Sequence, residues 1–303
     1  MPKRMPAVSL VAVPGRRRAT LDLAAEIENR GFSGIYSPSM LDALSLCQAL
    51  AFATKHIRFG TSVMPIYFRQ PADYANTTAF IHEVSGGRFH FGIGVSHAPS
   101  LARMGVSAGK PLSDMRNFIE KYNAAPRTGD KPPLVVAGLR KRMIALAGEL
   151  GDGLVFANGA LSHMPASLGM LPAAKRKSDA FFIGNMLPTC ISDDVEAAKA
   201  VNRHSLTHYL ELPNYRNYWR EAGYVEEIGA VEKAIAAGEN ARISAIMGDR
   251  WLDDVTLFGS PTRVRDRIEA WYDAGIRTPI LVPSSTKGGQ LKAFEEIMAT
   301  FAG

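Results

Sequence analysis

The sequence predicts an α/β protein folded as a single (β/α)8 barrel over residues 1–303. Three observations predict it. Apolar strand-like runs alternate with amphipathic helical runs from one end to the other, a pattern that demands a parallel sheet. Eight such strands can be counted. The long polar or irregular stretches follow strands four, six and seven, and loops at the C-terminal ends of strands are where a barrel builds its site. An open doubly wound sheet also delivers the alternation, but the placement of the insertions favours the barrel.

The first strand is the apolar run Ala7–Val13. A helix follows over residues 20–31, with Thr20 as its N-cap, Asp22 in the first turn, Arg30 in the last and Gly31 just past the end. Residues 33–37 form the second strand. The helix of residues 41–54 after it is apolar nearly all round, which predicts cover on two sides, by the barrel and by a second subunit. The third strand spans residues 56–65, the next helix residues 71–87 with Pro71 near its start, and the fourth strand residues 88–95. The stretch from Ala98 to Pro111 reads as a loop that opens an excursion to about Lys131. Residues 132–138 make the fifth strand, and a helix carries Met143, Leu146, Ala147 and Leu150 at helical spacing. Strands six and seven, residues 153–157 and 179–191, are followed by the excursions 158–179 and 212–259. A helix capped by Ser260, with Pro261 at N1 and Gly275 as its stop, leads to the eighth strand, residues 279–283. A last helix bears Leu291, Phe294, Met298 and Phe301.

Composition narrows the function. The chain has 303 residues, 47% apolar and 21% charged, as in ordinary globular proteins. It has no apolar run long enough to span a bilayer, so no membrane partner is expected. The N-terminal stretch to Arg18 has a short apolar run, then three arginines and no small-residue cleavage site, which argues against a signal peptide. Cys47 and Cys190 lie far apart and read as reduced core residues of a cytoplasmic protein. The seven histidines are scattered, with no zinc spacing, so no metal site is expected. A net charge of +6 favours anionic partners, and no nucleic-acid-binding motif accompanies it.

The most informative stretch is GGRFHFGIGVSHAP, Gly86–Pro99. Its Gly92-Ile-Gly94 resembles part of a dinucleotide-binding turn. That turn needs its glycines between the first strand and a helix that starts at once, with an acid about 20 residues on. Here the glycines belong to the fourth strand and a loop follows. They strip side chains from a strand end, where a flat ligand can lie against backbone.

Three segments resemble the bacterial luciferase-like monooxygenases: ALAFATKHIRFGTSVMPIYFRQPADYANTTAFIHEVSGGRFHFGIGVSH, VVAGLRKRMIALAGELGDG and GSPTRVRDRIEAWYDAGI. The GIGVSHAP stretch is more similar to the deazaflavin-using actinobacterial branch. The resemblance covers most of the chain except the excursions after strands six and seven. It implies a TIM barrel that binds coenzyme F-420, or alternatively FMN, at the C-terminal face. It also implies a non-prolyl cis peptide at Ser62-Val63 behind the central ring, a cofactor phosphate at the Ala137-Gly138-Leu139-Arg140 turn, and a homodimer formed through the helices near residues 41–54.

The residues themselves agree with parts of this. Gly138-Leu139-Arg140 lies where a strand becomes a helix, and free amides plus the helix dipole make an anion site there. Ser96 and His97 fall just past the fourth strand; His97 is the candidate for a cofactor or substrate contact or for proton transfer. Arg16, Arg17 and Arg18 follow the first strand at the mouth and suit the anionic tail of F-420. One departure matters. Several relatives place Asp-His or another charged group at the end of the second strand, where this chain has Pro38 and Ser39. The acid/base is then another group, His97 or Tyr67, or none.

The leading expectation is an oxidoreductase that moves a hydride between F-420 and a small organic substrate. The alternatives are an FMN-dependent monooxygenase acting with oxygen and a non-catalytic flavin-binding relative. A barrel hydrolase needs paired carboxylates or metal ligands at strand ends, and these strand ends offer Gly, Ser and His.

Overall fold

The computed structural model describes residues 4–301; Met1–Lys3, the start of the stretch read against a signal peptide, lie outside them. The strands are β1 (Ala7–Ser9), β2 (Gly34–Ser37), β3 (Arg58–Thr61), β4 (Met64–Pro65), β5 (Phe89–Gly94), β6 (Leu134–Ala137), β7 (Gly153–Ala157), β8 (Phe182–Ile191), β9 (Leu257–Gly259) and β10 (Thr278–Ser284). The helices of the first half are α1 (Arg17–Asn29), α2 (Ala43–Ala53), α3 (Pro71–Val84), α4 (Ala98–Arg103), α5 (Pro111–Ala124) and α6 (Lys141–Leu150). Those of the second are α7 (Met164–Gly169), α8 (Ala173–Lys177), α9 (Val195–Leu210), α10 (Pro213–Glu221), α11 (Val225–Ala236), α12 (Ile243–Ile246), α13 (Asp249–Val255), α14 (Pro261–Asp273) and α15 (Gln290–Thr300).

The strand order β10-β1-β2-β3-β5-β6-β7-β8-β9, with β10 also paired to β8, is that of the closed parallel barrel. β3 and β4 are two parts of the third barrel strand, and β9 is an extra short strand on β8, within the stretch 212–259 expected as an irregular excursion.

Two compact units make up the chain. The first runs to Phe156 and includes Gly169–Gly184. Its parallel ladder is in simple register, Ile35 beside Phe59 and Phe59 beside Phe89. Because side chains alternate along a strand, Phe59, Phe89 and Phe91 point one way and pack under the helices. Tyr74 of α3 meets Phe91 at 5.3 Å and Phe118 of α5 at 5.7 Å between ring centres. The second unit holds Ala157–Leu168 and the chain from Asn185. Its helical core is aromatic, with Trp251 stacked on Tyr224 at 4.9 Å and edge-on to Trp219 at 5.3 Å.

Some boundaries differ from expectation for local reasons. α1 begins at Arg17, and the Thr20 hydroxyl donates back to Arg16 O at 3.0 Å instead of capping. The supposed loop after the fourth strand contains α4, and the rest of that excursion contains α5. Pro111 opens α5, and its buried Met115, Phe118, Ile119 and Tyr122 recur at helical spacing. The excursions after strands six and seven are likewise mostly helical. α14 matches its prediction: the Ser260 hydroxyl accepts from Arg263 N, and Pro261 is at N1.

Candidate active site

The geometry starts at the break in the third barrel strand. β3 ends at Thr61, the Ser62-Val63 peptide is cis, and β4 resumes at Met64. Thr61 is tied to the neighbouring strand through its side chain. Its hydroxyl donates to Gly92 O at 2.7 Å and accepts from Gly92 N at 2.9 Å. Ser62 N donates to Ser37 O at 2.7 Å, so the end of β2 holds the other side of the break.

Two glycines make room for it. A methyl group at Gly92 would lie 1.9 Å from Thr61 O, and one at Gly94 would lie 2.8 Å from a Val63 methyl. The glycine pair first read as a stretch of strand cleared of side chains is therefore a seat for the broken strand. Val63 remains partly exposed on it. The Ser62 hydroxyl is buried with no partner. Beyond Gly94, Ser96 adopts a left-handed φ of 60°. This turns the chain so that His97 becomes the N-terminal flank of α4.

The strand β6 ends at Ala137, and Gly138 N donates to Val155 O at 3.1 Å. Arg140 flanks α6 without a side-chain cap, and Met143 N in its first turn donates to Arg140 O at 3.0 Å; a helix start of this kind has amides available to an anion. Arg16 flanks α1, and Arg17 and Arg18 lie in its first turn, all exposed. Three cations at a helix N-terminus oppose the helix dipole. Nothing in local helix stability favours them there, which is consistent with a role toward an anion.

Sequence reasoning missed one feature of the strand-end region. Ile66 N donates to Gly94 O at 3.0 Å, which sets Tyr67 beside the seat. The Tyr67 hydroxyl donates to Asp114 of α5 at 2.6 Å, and Gly109 N donates to the same carboxylate oxygen at 2.7 Å. Burial, then the bond to Asp114 and its charge, push the Tyr67 phenol well above the usual range. Pro111 with Asp114 in a first helical turn carries the signal for α5, but the glycines in front of it, Gly105 and Gly109, give the stretch the character of a loop.

These residues fit a flat ring carrying an anionic tail: a seat cleared by glycines, an orphaned serine hydroxyl, and an uncapped helix N-terminus. Among the described residues no cluster of His, Cys, Asp or Glu is suited to a metal ion, and no helix is long and apolar enough to cross a membrane.

A family model described as luciferase-like monooxygenase matches residues 6–278. A Mycobacterium tuberculosis protein provisionally named a coenzyme F-420-dependent oxidoreductase is 24% identical, covering 88% of this chain and 91% of that one. Among solved structures, the F-420-dependent tetrahydromethanopterin reductase of Methanopyrus kandleri superposes with a TM-score of 0.75 at 17% identity, over 97% of each chain. An F-420-dependent secondary alcohol dehydrogenase, solved with an F-420–acetone adduct, gives a TM-score of 0.73 at 16% identity over 98% of each. These two likenesses establish the barrel fold.

Proposed function

Because the chain belongs to the luciferase-like monooxygenase family, we propose that it is an oxidoreductase that passes a hydride between coenzyme F-420 and a small organic substrate. The observation that carries this reading is the strand-end seat: the cis Ser62-Val63 peptide backed by Gly92 and Gly94, with the anion turn at Gly138 on the same unit. The F-420 named in the relatives' descriptions supports the choice of cofactor.

In this reading Ser62, Val63, Gly92 and Gly94 back the ring, which when bound supplies a hydride donor or acceptor. Ala137, Gly138, Leu139 and Arg140 hold the phosphate by amides and helix dipole. Ser96 and His97 flank the cofactor tail or the substrate. Arg16, Arg17 and Arg18 attract the tail's carboxylates. Pro38 and Ser39 supply no acid, so proton transfer falls to Tyr67, whose own proton is committed to Asp114. A substrate hydroxyl gives its proton to the Tyr67 oxygen as that proton moves to the carboxylate. His97 is the second candidate for the same step.

FMN is the alternative, because the seat and the anion turn ask only for a flat ring and a phosphate. A difference spectrum of the purified protein, titrated with F-420 and with FMN, decides between them. Saturation by F-420 alone is expected; saturation by FMN alone makes the protein a flavin monooxygenase, and saturation by neither overturns both.

The chain is further proposed to act as one cytoplasmic domain in a homodimer. Phe52 at the outer face of α2 is 69% exposed and Phe80 on α3 is 48% exposed. A second copy covering them gains about 25 cal/mol for each square ångström of apolar surface it removes from water. Light scattering at micromolar concentration is expected to give twice the chain mass, and a monomer mass rejects the dimer.

A further inference from the structure

One carboxylate oxygen of the first unit holds donors from two different segments. Asp114 Oδ2 accepts from the Tyr67 hydroxyl at 2.6 Å and from Gly109 N at 2.7 Å. Gly109 belongs to the stretch 104–110 between α4 and α5, which is exposed apart from the half-buried Val106. Val106 N still donates to Leu101 O at 3.0 Å. From Ser107 to Lys110, among the described residues, Gly109 N is the one amide that donates within the chain. The stretch has a left-handed residue near its start, Gly105 at φ 66°, and stops at Pro111, the first residue of α5. A methyl group at Gly109 would lie 2.6 Å from Asp114 Oδ1 and 3.0 Å from Oδ2. An added side chain therefore pushes the carboxylate off the amide.

The Gly109 bond depends on the charge of its acceptor. A hydrogen bond to an ionised acceptor is roughly twice as strong as one between neutral groups, a difference of about tenfold in an equilibrium. In the proton transfer assigned above, the Tyr67 proton arrives at Oδ2, the same oxygen that holds Gly109. The carboxylate becomes a carboxylic acid, its O–H turns back to the Tyr67 oxygen, and the charge that seated Gly109 is gone.

We propose that residues 104–110 are a proton-operated gate beside Tyr67, seated while Asp114 is an anion and released when its carboxylate takes the proton. The gate rests on the reading of Tyr67 and Asp114 as the proton-transfer pair. It keeps water from Tyr67 before the chemical step and lets product out after it. Loss of the proton to solvent seats it again. Neighbouring charges leave the carboxylate to this task. Asp73 of α3 pairs with Arg69 at 3.6 Å, and Glu149 of α6 pairs with Arg116 at 2.7 Å. α4 brings His97 and Arg103, the stretch itself Lys110, and no cation stands within ion-pair distance of Asp114 among the described residues.

The test follows backbone hydrogen exchange by mass spectrometry over residues 104–110 of the full chain without cofactor, each rate divided by its intrinsic value at that pH. At pH 7, Asp114→Asn is expected to speed exchange of this stretch about tenfold. Tyr67→Phe leaves the carboxylate its charge and Gly109 its acceptor, and is expected to speed nothing. At about pH 4 an ordinary aspartate is about half protonated, so acidification is expected to speed exchange about fivefold in the wild type. Asp114→Asn and Gly109→Ala are released throughout and indifferent to pH, and thermal unfolding checks that each variant is folded. Equal protection in the wild type and Asp114→Asn, release by Tyr67→Phe at pH 7, or an acid release that persists in Asp114→Asn overturns the gate. None of these readings needs F-420 or turnover. Full turnover in Asp114→Asn rejects the proton-transfer pair instead, so the two failures are told apart.

Discussion

The hydroxyl of Thr61 serves both backbone groups of Gly92, donating to its carbonyl at 2.7 Å and accepting from its amide at 2.9 Å. One side chain thus replaces the ladder bonds that a continuous third strand would have made, at the point where that strand breaks. Thr61→Val keeps the shape and leaves a buried amide and carbonyl without partners. A loss of about 1–3 kcal/mol in stability is expected, measured by urea unfolding, together with weaker F-420 binding. Gly92→Ala is expected to be worse, because a methyl 1.9 Å from Thr61 O forces the two strands apart. Wild-type stability in either variant refutes the clamp.

His90 is nearly buried beside Tyr36 and Phe182. Burial first, and the Arg58 charge second, pull its imidazole down to about 4. In the unfolded chain it titrates near 6.5. Between these values the unfolded state binds the extra proton, so stability rises with pH across that window and falls on acidification through it. The slope is expected to total on the order of 2–3 kcal/mol and to flatten in His90→Gln, as followed by chemical unfolding from pH 7 to pH 4.

Arg88 closes the C-terminal end of α2. Its guanidinium donates to Ala51 O, Thr54 O, Ile57 O and the Thr54 hydroxyl, and its Nε to Ser85 O at 2.8 Å. A lysine ammonium is compact and cannot match this fork. Arg88→Lys is expected to lose about 3 kcal/mol, with fast hydrogen exchange at Thr54–Phe59. Unchanged exchange there rejects the role.

Tyr67 and Asp114 are expected to act as one unit in proton transfer. Tyr67→Phe and Asp114→Asn are each expected to lower turnover at least tenfold and to erase the same limb of the pH–rate profile, with F-420 affinity retained. The double variant then loses no more than either single one. If His97→Gln alone removes that limb, the assignment passes to His97.

The three arginines at the start of α1 separate the two cofactors. FMN ends at its phosphate, whereas the F-420 tail continues into carboxylates. Each exposed ion pair contributes at most about 1 kcal/mol, so serine at Arg16, Arg17 and Arg18 is expected to weaken F-420 by up to about two decades at low salt. FMN binding barely changes, and the F-420 difference shrinks as salt rises. An F-420 affinity indifferent to both salt and substitution returns these residues to a solvated loop.

The (β/α) alternation was legible in the sequence because it is written in local periodicity. Ser260 and Pro261 announce α14, Pro71 announces α3, and apolar runs without charge announce the buried parallel strands. The glycine positions Gly92 and Gly94 also stood out, since a bare strand end needs a reason. α5 did not, because loop signals at its front, Gly105 and Gly109, masked the helical spacing of Met115, Phe118, Ile119 and Tyr122.

Hydrophobic period, caps and breakers act over a few residues, so the eight barrel strands, their order and the helices between them are written locally in the chain, whereas the helices of the excursions are not. Through its resemblance to a family the sequence also located the cis peptide. Only the tertiary structure decided what holds these parts in place: Thr61 on Gly92, Val63 seated on Gly94, Asp114 on Tyr67, Arg88 across the end of α2. Each of these pairs joins residues 31 or more positions apart, apart from the shorter reaches within the Arg88 fork. Contacts of that range depend on where packing brings two strands or a strand and a helix together, and no local pattern in the chain encodes it.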